Sequence, residues 1–489
     1  MKKMYIDGEW RISKSGETSE IIDPATGNII EEMTKADADE TEEAINAAHR
    51  EARRGSEWRS MDPGTRSRML NRIADLIEEK KDEIVRAETL NQGKILSDSE
   101  VDVDGGAALF RAMASICGAL SGQTFDNDEK LHVMTIREPL GVCALIVPWN
   151  YPFYIACQYA AQILAAGNTL VMKPSEITPL SAVILFEIFE EAGMPAGSVN
   201  LVTGSSSVVG EILSHSDKVD KVTFIGSTNV GRKIMTASAE SNLKPVTLEL
   251  GGKSPFIVFD DADMEAALDH GGAAIFLNAG QTCTAGSRFM IQEDIYEEFT
   301  ERFTKLTAGL KVGPGSDRDS KIAPMVSRKH MEDVLSYIEA GKNEGARLMC
   351  GGRRAEDGAL SNGYFIEPTV FADVTEDMKI AREEIFGPVV TIQSFSDEKD
   401  AIKKANSTVY GLAAGIFTSD GARALRVARA LDAGSIYVNN YHLSAFEAPA
   451  SAMKLSGIAE ELGLEGLKNY TMTKQVSISL DVEGAGYFG

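Results

Sequence analysis

The sequence predicts an α/β protein that contains a doubly wound parallel sheet followed by a second α/β unit. From Leu140 to Leu250, short apolar segments alternate with stretches of helical periodicity. The apolar segments are continuous, which is typical of parallel strands buried on both faces. A second alternating series begins after Gly252. Sheets of this kind bind ligands beyond the carboxyl ends of their strands, so the segments that follow the strands are the candidates for function.

The individual elements follow in chain order. The N-terminal region reads as short strands with turns at Asp7-Gly8 and within "IIDPATGNII", and helical periodicity covers residues 37–54 and 63–90, where Pro63 suits a helix start. The first series has the strands "LGVCALIVP", "TLVMK", "VNLVT", "KVTFIG" and "PVTLEL", separated by helices. The second has the strands "PFIVF", "RFMIQ", "PTVFADV", "VVTIQSF", "AAGIFT" and "SIYVNN", with helices such as "YEEFTERFTKLTAGL" between them.

Composition limits the classes of function. The chain has 489 residues, which suggests two to four domains or one large two-domain body, and its net charge of −24 argues against a nucleic-acid surface. Five cysteines without CxxC spacing argue against a disulfide framework or a zinc site, and no metal is expected. The N-terminus lacks an apolar signal core and the chain lacks an apolar run of about 18 residues, so we expect a cytoplasmic protein without a membrane partner.

Cys283 is the first candidate for chemistry. It lies in the polar segment "NAGQTC" after the apolar run "AAIFL". A lone cysteine there is either a buried structural thiol or a nucleophile. A helix following it would place backbone N–H groups near the sulfur and favour the thiolate. None of the six histidines is placed to pair with it, whereas Glu249, at the end of an apolar strand, is either a general base or a carboxylate facing water.

Other polar residues also follow predicted strands. Asn150 stands between two prolines in "PWNYP", where its amide either donates to a developing oxyanion or satisfies loop carbonyls. Lys173 and Glu176 in "VMKPSE" suit the ribose or phosphate groups of a nucleotide. The turn "GSTNVG" opens a helix and suits a pyrophosphate, although its glycine pattern alone is weak evidence.

Taken together, these segments resemble the aldehyde dehydrogenase superfamily along nearly the whole chain. The motifs that carry the resemblance are "PWNYP", "AAGNTLVMKPSE", "FIGST", "LELGGKSP", "GQTC", "EEIFGPV" and "YGLAAGIFT". The resemblance implies that Cys283 attacks the aldehyde, that Asn150 and the Cys283 backbone N–H stabilise the oxyanion, and that Glu249 activates the water that hydrolyses the thioester. It also implies a Rossmann-type NAD-binding domain, an α/β catalytic domain and a small β oligomerisation extension.

The same resemblance implies NAD as the cofactor. Lys173 and Glu176 match the pair that holds the adenosine ribose, and a glutamate there would repel the 2′-phosphate of NADP. Glu384 and Phe386 match residues that position the nicotinamide ribose and ring. The expected cofactor-binding residues are Trp149, Lys173, Glu176, Gly226, Ser227, Gly231, Glu384 and Phe386.

The chain also departs from the family pattern. Many relatives have Trp-Lys where this chain has Gln158-Tyr159, and near the C-terminus Ser451-Ala452 replaces a glycine pair and Glu460 replaces an arginine. "FIGS" also replaces the commoner "FTGS".

The betaine aldehyde dehydrogenase branch is the most similar in overall pattern, yet its substrate is not favoured here. Members of that branch surround a trimethylammonium group with aromatic side chains. Gln158, Leu277 and Ala450 stand where aromatic residues are common, which argues against betaine aldehyde. Leu277 also replaces an arginine that some semialdehyde-oxidising relatives use for a substrate carboxylate. The residues expected to line the substrate pocket are Tyr151, Tyr159, Leu277, Tyr441 and His442.

The predicted organisation is an NAD-binding domain of residues 1–120 and 141–250, a catalytic domain of 251–450, and an oligomerisation extension of 121–140 and 465–489. A homodimer or homotetramer is expected from the resemblance. The expected reaction is NAD-dependent, non-acylating oxidation of an aldehyde. The alternatives are a CoA-acylating enzyme, against which Glu249 argues, and a non-catalytic relative with a structural or binding role.

Overall fold

The computed structural model describes residues 1–481, except for the side chains of residues 127 and 128. The strands are β1 Met4–Ile6, β2 Glu9–Arg11, β3 Thr18–Ile22, β4 Ile29–Thr34, β5 Thr124–Asp128, β6 Leu131–Pro139, β7 Val142–Ile146, β8 Thr169–Lys173, β9 Val199–Leu201, β10 Lys221–Ile225, β11 Val246–Glu249, β12 Pro255–Val258, β13 Arg288–Gln292, β14 Arg347–Cys350, β15 Thr369–Ala372, β16 Val389–Phe395, β17 Tyr410–Gly411, β18 Ala413–Phe417, β19 Ser435–Val438, β20 Ala450–Ser451, β21 Met453–Lys454, β22 Gly457–Ile458, β23 Glu460–Glu461 and β24 Thr471–Ser479.

The helices alternate with the strands over most of the chain. They are α1 Ala38–Glu51, α2 Glu57–Ser60, α3 Pro63–Glu79, α4 Lys81–Asn91, α5 Leu96–Ile116, α6 Pro152–Ala165, α7 Leu180–Glu191, α8 Glu211–His215, α9 Thr228–Glu240, α10 Met264–Phe276, α11 Tyr296–Ala308, α12 Arg328–Asn343, α13 Lys379–Arg382, α14 Glu398–Ala405, α15 Gly421–Ala430 and α16 Gly463–Lys468. The stretch 63–90, predicted as one helical region, is two helices because the chain leaves helical geometry at Lys80 (φ −97°, ψ 13°). No helix within residues 1–481 is long and apolar enough to cross a membrane.

The first large sheet confirms the predicted doubly wound topology. Its strand order is β2-β1-β9-β8-β7-β10-β11-β22, and the run from β9 to β11 is parallel. Along β7, Cys143 and Leu145 pack into one hydrophobic core, whereas Val142 and Ala144 pack into the core on the opposite face. This double burial is why these strands read as continuous apolar segments.

The strand order reverses between β7 and β10, and this reversal defines the ligand crevice of the sheet. From β7 the chain moves outward through β8 and β9, and it then returns to add β10 and β11 on the other side. The registers align the last residues of neighbouring strands, with Ile146 opposite Lys173 and Ile225 opposite Glu249. The segments that follow β7, β8, β10 and β11 therefore meet at one edge, where doubly wound sheets bind ligands.

The second large sheet has the order β14-β15-β16-β13-β12-β18-β19 and is parallel except for β14. Gly251 and Gly252 join the end of β11 to the start of β12. The Cys283 segment precedes β13, so it lies at the amino edge of the second sheet and faces the carboxyl edge of the first. A methyl group on Gly252 would lie 2.3 Å from the Cys283 carbonyl oxygen, so the two segments require a glycine at their contact.

The C-terminal region pairs with the first large sheet through β22 and with strand β6 through β24. β22 pairs antiparallel with β11, with Gly457 opposite Glu249, and β23 follows directly. β24 pairs antiparallel with β6 over its whole length, and β5 completes a separate three-stranded sheet. Residues 482–489 of the predicted oligomerisation extension lie outside the described residues, and the predicted domain boundaries stay a prediction.

Candidate active site

The cysteine segment has an unusual backbone. Asn278, Ala279 and Gly280 have φ angles of 49°, 54° and 75°, so three successive residues adopt the left-handed region. A Cβ on Gly280 would lie 2.1 Å from the carbonyl oxygen of Gly387, which excludes any side chain at this position. Consecutive left-handed residues cost free energy and persist only where the surroundings hold them, and they cluster at functional sites.

Buried polar groups hold this segment in place. The Gln281 side chain is fully buried; its amide nitrogen donates to the Asn278 carbonyl at 3.1 Å, and its amide oxygen accepts the Val326 N–H at 2.9 Å. The Asn278 N–H donates to the Asp98 carboxylate at 3.1 Å. The conformation that precedes Cys283 is therefore fixed by a hydrogen bond within the segment and by hydrogen bonds to two distant parts of the chain.

Cys283 lies in a turn, and the sequence-based expectation of a helix directly after it was wrong. The segment between Cys283 and β13 makes turns, so no helix N-terminus points at the sulfur. Burial raises the pKa of the Cys283 thiol, and the carboxyl groups of Glu249, Glu384 and Glu461 raise it further, whereas the Thr284 backbone N–H lowers it. The residue as a whole is partly exposed, and the raised pKa keeps the thiol protonated at neutral pH.

Asn150 joins the first sheet to the cysteine segment. Its side-chain nitrogen donates to the Gln281 carbonyl at 3.0 Å, and its backbone carbonyl accepts from the Asn278 side chain at 2.8 Å. A carboxamide carries two N–H hydrogens, so the bond to Gln281 leaves a second donor for a ligand. The residue is 4% exposed. A fixed, desolvated donor of this kind, bonded to the segment that carries the thiol, is suited to stabilising an oxyanion.

Glu249 has a carboxyl partner. It ends β11 and is buried, and its pKa is raised well above the usual value, first by burial and then by Glu461. Burial also raises the pKa of Glu461, whereas hydrogen bonds from Tyr159 and Gln158 lower it. Gln158 donates to Glu461 Oε2 at 2.7 Å, and the Tyr159 hydroxyl donates to the same oxygen. Glu461 was not among the residues predicted from the sequence.

A cavity of about 480 Å³ lies beside the carboxyl ends of β7 and β10. The turn Ser206–Gly210 and helix α8 form one wall, and helix α9 forms the opposite wall. The residues that line it are Ile146, Ser206, Ser207, Gly210, Glu211, Ser214, Phe224, Val230, Lys233, Ile234 and Ala237. The sequence identified the segments on both sides as helical, but no motif marked a cavity between them.

The predicted nucleotide-binding residues lie along the same edge. Ser227 caps α9, with its hydroxyl accepting the Val230 N–H at 3.4 Å, and the first turn of this helix leaves backbone N–H groups for a ligand. Gly231 sits against Leu250, where a Cβ would come within 2.8 Å of a leucine methyl. Lys173 is buried at the end of β8, where burial lowers its pKa and Glu176 opposes that effect.

Trp149, His330 and Phe386 form an aromatic group beside Asn150. The Trp149 ring centroid lies 4.9 Å from that of His330 and 5.2 Å from that of Phe386. A ring nitrogen of His330 lies 2.7 Å from the Phe386 carbonyl oxygen, and burial lowers the pKa of His330, so the neutral ring donates to this oxygen. Phe386 itself has a φ of 60°. His330 was given no role from the sequence.

Glu384 lies between the two large sheets. Its carboxylate accepts the Gly252 N–H at 2.8 Å. Burial raises its pKa to about 7, although the Gly252 N–H and Lys253 lower it. Gly226 directly follows strand β10, and a Cβ there would collide with the Phe224 ring at 2.5 Å.

The residues predicted to line a substrate pocket differ in their burial and in their contacts. Tyr151 is partly buried, with its hydroxyl 2.8 Å from Thr282 Oγ1 and Lys94 Nζ 4.3 Å from its ring centroid. Tyr441 is buried, and its hydroxyl donates to the Thr284 carbonyl at 2.8 Å. His442 packs edge-on against Tyr441, and Leu277 is partly exposed at the end of α10.

Tyr159 and Tyr437 complete this side of the site. Tyr159 is 2% exposed and reaches the site through Glu461. Tyr437 was not identified from the sequence. Its ring lies 5.0 Å from that of Tyr441, and the pKa of its hydroxyl is raised to about 12 by burial, then by Cys283 and Glu461.

Comparisons with known proteins agree with this arrangement. A model of the aldehyde dehydrogenase family matches residues 10–476. The chain is 44% identical over 477 residues to an aldehyde dehydrogenase of Aspergillus niger, with 98% of this chain and 95% of that protein covered. This chain belongs to the aldehyde dehydrogenase family.

Solved structures show the same fold. Betaine aldehyde dehydrogenase from Staphylococcus aureus, in complex with NAD+, has a TM-score of 0.98 and 38% identity, with 100% of this chain and 97% of that chain covered. The NAD+ complex of aldehyde dehydrogenase from Bacillus cereus has a TM-score of 0.96 and 39% identity, with 98% and 97% covered.

Proposed function

We propose that this protein oxidises an aldehyde to the carboxylic acid with NAD, using Cys283 as the nucleophile. The observation that carries the proposal is the position of Asn150, whose carboxamide donates to the carbonyl of Gln281, two residues before Cys283, and keeps one N–H for a ligand. A thiol, an oxyanion donor and a buried carboxyl pair lie together where the two large sheets meet. These groups suit a reaction that proceeds through a covalent acyl intermediate.

The chain's own residues divide the reaction into two halves. In the first, the Cys283 thiol releases its proton to solvent, the sulfur bonds to the aldehyde carbon, and Asn150 donates to the resulting oxyanion. Loss of hydride from that carbon leaves a thioester on Cys283. In the second half, a water oxygen bonds to the thioester carbon, Glu249 accepts a proton from the water, and the carbon–sulfur bond breaks with its electron pair returning to sulfur.

The residues along the first sheet fit NAD. The cavity between α8 and α9 has the apolar walls and the size that suit an adenine ring, and the first turn of α9 suits a pyrophosphate. We propose that Lys173 and Glu176 hold the adenosine ribose and that Trp149, Glu384 and Phe386 border the nicotinamide end. When bound, NAD accepts the hydride. The Glu176 carboxylate would repel a 2′-phosphate, which favours NAD over NADP.

The substrate side favours an aldehyde without a quaternary ammonium group. Betaine aldehyde is the substrate named for the Staphylococcus aureus protein. In this chain the Gln158 amide is hydrogen-bonded to Glu461, and Leu277 has no aromatic ring that could contact a quaternary ammonium group. Tyr151 and Tyr441 contact the residues on either side of Cys283, and Tyr437 packs against Tyr441. Their phenols are polar and uncharged, so we propose neutral aldehydes as the best substrates.

The reaction is tested by following NADH formation with a panel of aldehydes. The panel contains betaine aldehyde, short aliphatic and aromatic aldehydes, hydroxyaldehydes and semialdehydes, each with NAD or NADP and with or without CoA. We expect turnover that prefers NAD and needs no CoA, and we expect Cys283→Ala to abolish it. A strict requirement for CoA would favour the acylating alternative, and full activity in Cys283→Ala would exclude this thiol as the nucleophile.

We also propose that the chain works as a homodimer or homotetramer, with residues 1–120 and 141–250 as the NAD-binding domain and 251–450 as the catalytic domain. β24 lies at one edge of its three-stranded sheet. Met472 and Ile478 on this strand are 45% and 43% exposed. An exposed edge strand that carries apolar side chains is suited to pairing with a second chain.

A further inference from the structure

Glu249, whose proposed function is to act as the base for thioester hydrolysis, interacts with a second carboxyl group, that of Glu461. Glu249 ends β11, and the pairing of β22 with β11 brings Glu461, on the following strand β23, to the same place. Glu249 is 8% exposed and Glu461 is partly buried, and the Glu461 carboxyl raises the pKa of Glu249. Within residues 1–481, neither forms an ion pair with a lysine or arginine in this structure.

Other titratable groups face this carboxyl pair from every side. Those that interact with Glu249 or Glu461 are Tyr154 and Tyr159 from α6, Cys283 from the cysteine segment, Tyr437 from β19 and Tyr470 after α16. Glu384 acts on Cys283 from the other side. Lys221 is the cation on the far side of Tyr470, with its Nζ 5.1 Å from that ring centroid. The surroundings therefore supply phenols, a thiol and carboxyl groups rather than a neighbouring positive charge.

Two carboxyl groups that interact, that are withdrawn from water and that lack a paired cation do not both ionise near neutral pH, because the second charge would meet both desolvation and repulsion. The pair must therefore hold a proton. The position of that proton depends on which carboxylate is better stabilised by hydrogen-bond donors. Glu461 Oε2 accepts from both the Gln158 amide and the Tyr159 hydroxyl, whereas Glu249 makes no such side-chain hydrogen bond within the described part of the chain.

We propose that Tyr159 and Gln158 are positioning residues that keep Glu461 ionised, so that the shared proton resides on Glu249 and must leave before Glu249 accepts a proton from water. Many relatives carry Trp-Lys at these two positions, and this chain has neutral donors instead. Glu461 acts as the fixed negative neighbour that holds the proton on the base. Hydrolysis of the thioester is then gated by the loss of one proton from Glu249.

The proposed gate predicts the direction in which deacylation depends on pH. Because Glu249 must lose its proton, the rate of deacylation rises with pH, with a midpoint above neutrality. Removal of the Tyr159 hydroxyl destabilises the Glu461 carboxylate. The shared proton then shifts toward Glu461, which leaves Glu249 ionised. A hydrogen bond to a charged group is worth about one pKa unit or somewhat more, so the midpoint in Tyr159→Phe should fall by about one pH unit. Deacylation at neutral pH should then be faster, by up to about tenfold.

The experiment isolates deacylation from aldehyde oxidation. 4-Nitrophenyl acetate acylates the Cys283 thiol directly, and the full-length protein then releases acetate in the slow step. The burst of 4-nitrophenol reports acylation, and the following steady rate reports deacylation as a function of pH. Tyr159→Phe and Gln158→Leu each remove one donor, and Glu461→Gln removes the negative neighbour. All three should move the midpoint to lower pH.

Tyr470→Phe is the matched control. Its phenol is also buried and also interacts with Glu461, but its hydroxyl lies 3.0 Å from Thr223 Oγ1 and does not donate to the carboxyl pair. The midpoint should stay unchanged in this variant. Thermal unfolding identifies variants that are merely unstable, and Gln158→Leu serves if Tyr159→Phe does not fold.

The outcomes separate the two proposals. A burst followed by a midpoint that falls in Tyr159→Phe or Gln158→Leu, but not in Tyr470→Phe, supports the gate. A burst with an unchanged or higher midpoint, or with uniformly slower deacylation, overturns it while leaving the proposed function intact. The absence of a burst that depends on Cys283 would contradict the proposed function, and the gate would fall with it.

Discussion

At the scale of single residues, the proposed oxyanion donor is the Asn150 carboxamide, which is held by Gln281 and has a second N–H. We expect Asn150→Ala to lower kcat/KM by about 10²–10³-fold, the loss seen when one oxyanion donor is removed. Steady-state kinetics with the best aldehyde of the panel checks this. Asn71→Ala is the control, since the Asn71 side chain bonds only within its own helix at Ser67. Nearly unchanged activity in Asn150→Ala would contradict the assignment.

The thiol itself has a testable titration. Because burial and nearby carboxyl groups raise the pKa of Cys283, the ligand-free thiol is protonated at neutral pH. Alkylation by iodoacetamide, followed by mass spectrometry of the Cys283 peptide, should be slow at neutral pH. Its rate should rise with pH over a range above that of glutathione, which serves as the reference thiol. A rate that already levels off at or below neutral pH would show that the thiolate is formed in the resting protein.

At the scale of elements, the left-handed segment before Cys283 depends on Gly280. Alanine there would have to adopt a φ of 75° and would collide with the Gly387 carbonyl. We expect Gly280→Ala to lower the free energy of unfolding by about 1–3 kcal/mol and to reduce activity more than stability explains, because Cys283 moves. Denaturant unfolding and kinetics on the same samples measure both effects.

Gly272→Ala is the matched control for this substitution. Gly272 lies within α10, and a Cβ there would meet only a Leu306 methyl at an ordinary 3.6 Å. We expect this variant to be neutral or more stable by about 0.5–1 kcal/mol, as for an alanine in place of a helical glycine. Equal losses at the two positions would show that the segment before Cys283 has no special requirement for glycine.

The elements also show which parts of the structure sequence can predict. Strands β7, β8 and β10 were predictable because they are buried on both faces and read as continuous apolar segments. The left-handed segment before Cys283 was not, because its three residues are held by hydrogen bonds to Asp98 and Val326, which lie far away in the chain. The residues next to this segment in the sequence do not indicate such distant partners.

Glu461 illustrates the same limit within the site. Its role depends on β22 pairing with β11 and on two donors from α6. The residue stands in a C-terminal run whose departures from the family pattern were visible, but its carboxyl partner was not. Cys283, Asn150 and Glu249 were identifiable because short motifs at strand ends carry them, whereas His330 and Tyr437 lie outside such motifs.

At the scale of the whole molecule, we expect the exposed apolar side chains of β24 to lie in a contact between copies. Substitution of Met472 and Ile478 by lysine should shift the protein to a smaller species in analytical ultracentrifugation, because two charges would be buried at the contact. Val101→Lys, at a 68% exposed position on α5, is the control and should leave the mass unchanged. A monomeric wild-type protein would contradict the proposed assembly.

The proposed reaction requires a thioester on Cys283 during aldehyde oxidation. Direct detection of this thioester is the most direct test of the reaction. Glu249→Ala, mixed with NAD and an aldehyde that the wild-type protein oxidises, is quenched in acid after one turnover and its peptides are analysed by mass spectrometry. We expect one NADH per chain and an acyl group on the Cys283 peptide. Continued turnover with an unmodified Cys283 peptide would contradict both the nucleophile and the base.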